Sequence, residues 1–249
     1  LGGSGSGGNG GLGGSGGLGG SGFGDGSGRA FGRAPHTSAD VPTPGMLATI
    51  ELDADAIMDG YTLYLPVHHD TRAEPYPILV FMQGSYGVSD RIDDVNNWGM
   101  ARLLRDETSL DSRRNALLLD GFIVVNLHIR EGQYHAHPEV VRGILDDVIA
   151  SYNADPERIY LTGLSRGGHG TWGLASRLPN TFAAVAPIGG NAGAVDDWDA
   201  FEGTAIWIAH NEHDALVSFE AAEDAMHEIE SRFGVSFRRY DQLVVDGTD

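Results

Sequence analysis

The stretch Arg158-Ile159-Tyr160-Leu161-Thr162-Gly163-Leu164-Ser165-Arg166-Gly167-Gly168-His169-Gly170-Thr171-Trp172 passes from a strand-like run through a G-x-S-x-G pentapeptide into a helix-compatible segment. A serine set between a strand and a helix, with small residues two before and two after it, occupies a sharp and strained turn. Such a turn exposes the Ser165 hydroxyl and aims the first turn of the following helix at it. In a chain with 37 glycines the pentapeptide alone is weak evidence, and its surroundings carry the reading. Upstream, Val140, Val141, Ile144, Leu145, Val148, Ile149 and Tyr152 recur at helical spacing, and Asp155-Pro156 supplies a turn before the strand. Helix, turn, strand, elbow, helix is the unit of a doubly wound, mostly parallel α/β sheet. Ser165 is the candidate nucleophile.

Working outward, the alternating segments 47–52 and 61–65 predict an antiparallel N-terminal hairpin. The continuous apolar runs 77–82 and 121–127 predict strands covered by helices on both faces. A helix is expected over 97–105, further strands over 183–187 and 205–209, a helix over 219–233 and a last strand over 237–243. Trp172 and Trp207 are expected in the core.

The 249 residues, 41% of them hydrophobic, suffice for one α/β domain with a sizeable core. No stretch has the length and apolarity of a transmembrane helix. With 35 acidic against 16 basic residues the net charge is -19, which argues against nucleic acid and against an anionic membrane surface as partners. All the basic residues are arginine; adaptation to high salt and a GC-rich coding bias explain this equally well. Without cysteine the chain has no disulfide and no thiolate metal site. The ten histidines show no H-E-x-x-H spacing, and His135 and His137 lie in a loop-like segment, so neither a catalytic metal nor any other cofactor is expected.

Residues 1–34 hold 18 of the glycines, a composition that cannot bury enough apolar surface to offset backbone entropy. The expected division is a Gly/Ser-rich disordered tether over 1–40 and an α/β domain over 41–249. No charged n-region or apolar h-region of a signal peptide is present, and the chain begins with leucine.

The run from Val140 to Gly190, including YNADPERIYLTGLSRGGHGTWGLASRLPNTFAAVAPIGG, resembles the α/β-hydrolase group of secreted esterases and predicted peptidases related to polyhydroxybutyrate depolymerases and feruloyl esterases. The likeness extends more loosely from about Leu47 to the last residue. It implies a serine hydrolase that cleaves carboxylic esters through an acyl-serine intermediate, acting on a small-molecule or polymer ester. With the tether, it implies an extracellular or surface-tethered bacterial protein. A peptidase with the same machinery, or a non-catalytic surface or carbohydrate-binding module on the same fold, are the alternatives.

Such a hydrolase needs an orienting acid, a base and oxyanion donors beside its nucleophile. The acid is expected in the loop after strand 205–209, where Asp214 stands; the resemblance favours Asp214 over its rivals Glu212 and Asp196. One oxyanion donor is the backbone N–H of Arg166, the residue after the nucleophile. The second comes from Gly84-Ser85-Tyr86-Gly87, with Ser85 and Tyr86 both open; the family usually carries His-Gly where this chain has Gln83-Gly84. Gln83, His128 and His169 are candidate cleft-lining residues.

For the base, chain order in this fold places a histidine after the acid, and only His227 follows Asp214. Helical spacing sets His227 about 120° from the apolar stripe Phe219, Ala222, Met226, Ile229 and Phe233, facing water, so it is rejected. The catalytic histidine is instead expected just after Asp249, with a C-terminal helix beyond it that this chain lacks.

Overall fold

The computed structural model describes residues 38–39, 41–53, 56–106 and 113–238, all within one compact unit, Phe31–Asp249. A short strand β1 (Ser38–Ala39) precedes β2 (Leu47–Glu51), which forms an antiparallel hairpin with β3 (Gly60–Tyr64). Next come β4 (Tyr76–Met82), α1 (Gly99–Asp106), α2 (Arg113–Asp120) and β5 (Ile123–His128). The second half runs α3 (Pro138–Ser151), β6 (Ala154–Leu164), α4 (Arg166–Arg177), β7 (Ala184–Ile188), β8 (Ala205–Ile206) and α5 (Glu220–Phe233).

Among the described residues the strands form one sheet in the order β1-β2-β3-β5-β4-β6-β7-β8. It is antiparallel from β1 to β5 and parallel from β5 to β8. Successive β5 residues point to opposite faces, and both faces are covered. Ile123, Val125 and Leu127 join a large cluster with Ile144 and Leu145 of α3, whereas Val124 joins a second cluster with Leu104 of α1 and Leu119 of α2. Helices on both faces explain why β4 and β5 are unbroken apolar runs. Each such fully buried aliphatic side chain contributes about 2 kcal/mol by leaving water.

The expected hairpin, parallel strands and helices are found, with four differences. Asp155 and Pro156 lie inside β6, since Ala154 already pairs with Tyr76 before the register shifts. The Asp155 carboxylate accepts from the Glu157 amide and from Arg158, so the local turn chemistry becomes a kink within the strand. The helix α2 carries no expectation from the sequence, because its apolar residues Leu117, Leu118 and Leu119 are contiguous rather than periodic. Trp172 is fully buried, packed edge-on to Trp198 and Phe201, but Trp207 is 74% exposed. Trp207 follows directly on β8, the last strand in the sheet order among the described residues. Phe237 and Arg238 belong to no strand; the rest of the expected last strand, and residues 1–37 and 40 of the expected tether, lie outside the described residues, while Ser38 and Ala39, also expected in the tether, pair with β2.

Candidate active site

Ser165 has φ 54° and ψ −111°, a conformation that side chains other than glycine rarely adopt. Surrounding bonds enforce it. The Ser165 amide donates to the Ile188 carbonyl of β7 (2.8 Å), and its own carbonyl accepts from the His169 amide at the start of α4 (2.9 Å). The flanking glycines are required by contact: a Cβ on Gly167 would stand 2.1 Å from the Met82 carbonyl oxygen, and one on Gly168 would stand 2.5 Å from the Ile188 oxygen. Missing side chains thus let α4 start directly against the ends of β4 and β7. The result places Ser165 at the carboxyl end of the central parallel strands, with the positive end of the α4 dipole beside it.

Arg166, Gly167 and Gly168 are the first residues of α4, whose amides have no intrahelical acceptor. Across from them, Gly84 follows β4, and a Cβ there would lie 3.7 Å from the Ser165 Cβ. Ser85–Gly87 form a short 3-10 turn in which the Gly87 amide donates to the Gly84 carbonyl (3.0 Å). That leaves the Ser85 and Tyr86 amides as the loop's candidate donors. The Arg166 guanidinium ties the surrounding loops together, donating to the Gly132 carbonyl (2.7 Å) and to Ser85 Oγ (3.4 Å). This bridging role carried no sequence signal.

Asp214 lies two strands along. Its amide donates to the Asn211 carbonyl, and its Oδ1 accepts from the Leu216 (2.8 Å) and Val217 (3.0 Å) amides. These two backbone donors, with a smaller contribution from His210, hold its carboxyl below the usual range and keep it ionised. Its second oxygen is 3.9 Å from where a Cβ of Gly189 would be, at the end of β7. The rivals differ: Asp196 pairs with Arg177 (2.7 Å), and Glu212 is exposed.

The histidines divide clearly. His227 is exposed on α5. His169 is half-buried, and its Nδ1 lies 2.9 Å from the Asn191 amide and 3.3 Å from the Asn191 carbonyl. His210 packs edge-on to Phe219, with Nδ1 3.1 Å from the Asn211 carbonyl. Among the described residues no imidazole is hydrogen-bonded to Ser165 Oγ or to the Asp214 carboxylate. Gln83 and His128, named with His169 as cleft-lining, are 2% and 0% exposed. Gln83 Nε2 donates to the Trp98 carbonyl (3.1 Å), and His128 is bonded to Asp59; of the three, only His169 keeps part of its surface in solvent. Among the described residues no group of three or more His, Asp or Glu could hold a metal ion, and no helix is long and apolar enough to cross a membrane.

No family model matches the chain. Fifty residues, 20% of this chain, are 40% identical to a segment covering 12% of poly(3-hydroxyalkanoate) depolymerase C of Paucimonas lemoignei. Among solved structures the chain is similar to a thermostable esterase (TM-score 0.57, 22% identity, 75% of this chain), and it spans 51% of that protein's length. It is also similar to a mutant feruloyl esterase module from Clostridium thermocellum in complex with sinapinate (TM-score 0.54, 13% identity, 80% of each chain). The sheet order and these likenesses establish the α/β-hydrolase fold.

Proposed function

We propose that this α/β-hydrolase domain cleaves carboxylic esters through an acyl-Ser165 intermediate. The strained backbone of Ser165, held between β6 and α4 with Gly84 against it, is the observation that carries the reading. A serine rather than a glycine at φ 54° costs about 1–3 kcal/mol, and a reactive hydroxyl at the elbow accounts for that cost.

In this mechanism Ser165 Oγ attacks the ester carbonyl carbon and passes its proton to an imidazole base. The base returns that proton to the leaving alcohol, and water then releases the acid by the same route. The Arg166 amide and the Ser85 or Tyr86 amide stabilise the oxyanion, and Asp214, kept ionised by its two backbone donors, orients the imidazole. Among the described residues no imidazole is bonded to Ser165 Oγ or to the Asp214 carboxylate, so the base is assigned to none of them. The substrate class is an ester of an extracellular polymer or its fragments, in line with the depolymerase and feruloyl esterase likenesses, and the working location is outside the cell.

Hydrolysis of p-nitrophenyl acetate by the full-length protein, abolished by Ser165→Ala, tests this. Activity that survives Ser165→Ala overturns it, and turnover of peptide amides in preference to esters moves the assignment to a peptidase.

A further inference from the structure

We propose that buried Asp59 and His128, with half-buried Ser89, form a relay that positions the oxyanion loop, residues 84–89, against Ser165. The inference rests on the reading of Ser165 as the nucleophile.

His128 closes β5 with its ring wholly buried. Its Nδ1 is 2.5 Å from Asp59 Oδ1, the other Asp59 oxygen accepts from Arg130 Nε (2.8 Å), and its Nε2 is 3.5 Å from Ser89 Oγ. Burial pushes the Asp59 carboxyl upward, but the bonds from His128 and Arg130 outweigh it and the net shift is downward. One Asp59 oxygen faces His128 Nδ1 and the other accepts from Arg130, so the carboxylate holds the ring with Nε2 turned toward Ser89. The order carboxylate, imidazole, hydroxyl is the one that orients a catalytic base in serine hydrolases.

The Ser89 hydroxyl has two acceptors in reach of its one proton, the Arg91 carbonyl (2.9 Å) and His128 Nε2 (3.5 Å), while its oxygen accepts from the Arg91 amide (3.3 Å). An oxygen tied on both sides, beside a ring without solvent access, is an anchor rather than a nucleophile. Its location decides what it anchors. Gln83, fixed to the Trp98 carbonyl, pins the loop where it leaves β4; Ser89 pins it where it turns away; and Arg166 touches Ser85 between them. Only a handful of residues span the pins, and they include both candidate oxyanion amides. A polar network rigidifies what it holds, and oxyanion donors must be held within about 0.5 Å of their productive positions.

The test uses Ser89→Ala, which removes only the loop end of the relay, and His128→Gln, which breaks its centre. Hydrogen exchange of the 83–90 segment is compared with exchange in β3 and β5, and the rate of fluorophosphonate modification of Ser165 is measured in the same full-length proteins. Both variants are expected to speed exchange in 83–90 while Ser89→Ala leaves β3 and β5 unchanged, and to slow modification by roughly 10- to 100-fold. Unchanged exchange in 83–90 for Ser89→Ala overturns the relay. Wild-type protein that fails to react at Ser165 overturns the proposed function, while the exchange comparison still decides whether the relay holds the loop. If His128→Gln does not fold, Ser89→Ala alone settles the matter.

Discussion

Gly84 and Ser165 face one another across the carboxyl ends of β4 and β6, so closely that a Cβ on Gly84 would be 3.7 Å from that of Ser165. Two segments 81 residues apart in sequence meet at a single hydroxyl because their strands are parallel neighbours, with Met82 in register with Gly163. The nucleophile's strain and its proposed oxyanion donors therefore have one origin in the sheet.

The strain is measurable. Ser165→Gly relieves a positive-φ serine worth about 1–3 kcal/mol at the cost of roughly 0.5–1 kcal/mol in chain entropy. The variant is expected to be more stable by about 1 kcal/mol in urea denaturation and inert to fluorophosphonate. A less stable variant would show that the serine side chain makes compensating contacts.

Close approach at Gly167 predicts the opposite sign. Gly167→Ala drives a methyl group into the Met82 carbonyl, 2.1 Å away, and is expected to cost about 3 kcal/mol. Gly193→Ala, whose nearest contact is the flexible Asn191 amide at 3.2 Å, is expected to stay within about 0.5 kcal/mol of wild type.

These contrasts bear on how much was legible in the sequence. The elbow was readable because its glycines are local and its flanking periodicities are strong. For Asp214, chain order gives the loop after β8 and the resemblance favours this residue over Glu212 and Asp196; its role as the orienting acid is a proposal. Trp207 was misplaced because a bulky apolar residue in a strand reads as core, whereas its exposure depends on what covers the sheet border. The Asp59–His128–Ser89 arrangement could not be read: its members are 30 or more residues apart, and only β3–β5 pairing, with Gly60 opposite His128, brings Asp59 to the ring.

Acid stability should report on Asp59. Its folded pKa lies below the unfolded value near 3.9, so its contribution is fully present above about pH 4 and is lost as pH falls through the folded value. Asp59→Asn is expected to cost about 3 kcal/mol near neutral pH and to flatten the acid limb of stability against pH. An unchanged acid limb would mean that Asp59 does not titrate below its unfolded value.

Alkaline behaviour should report on Tyr64. Burial, with a smaller contribution from Asp120, pushes its pKa up to about 12, and its hydroxyl donates to the Leu119 carbonyl (3.0 Å). The folded value lies above the unfolded value near 10, so its stabilisation is complete below pH 10 and fades as pH rises from there toward about 12. Tyr64→Phe is expected to remove one late-titrating tyrosine from the ultraviolet difference titration and to cost about 1 kcal/mol.

The most direct measurement is reaction of the full-length protein with a fluorophosphonate probe, followed by peptide mapping of the modified residue. Modification at Ser165, absent in Ser165→Ala and slowed in Asp214→Asn, is the expected result. A protein that stays unmodified, or one modified at another serine, would contradict Ser165 as the nucleophile of an ester hydrolase.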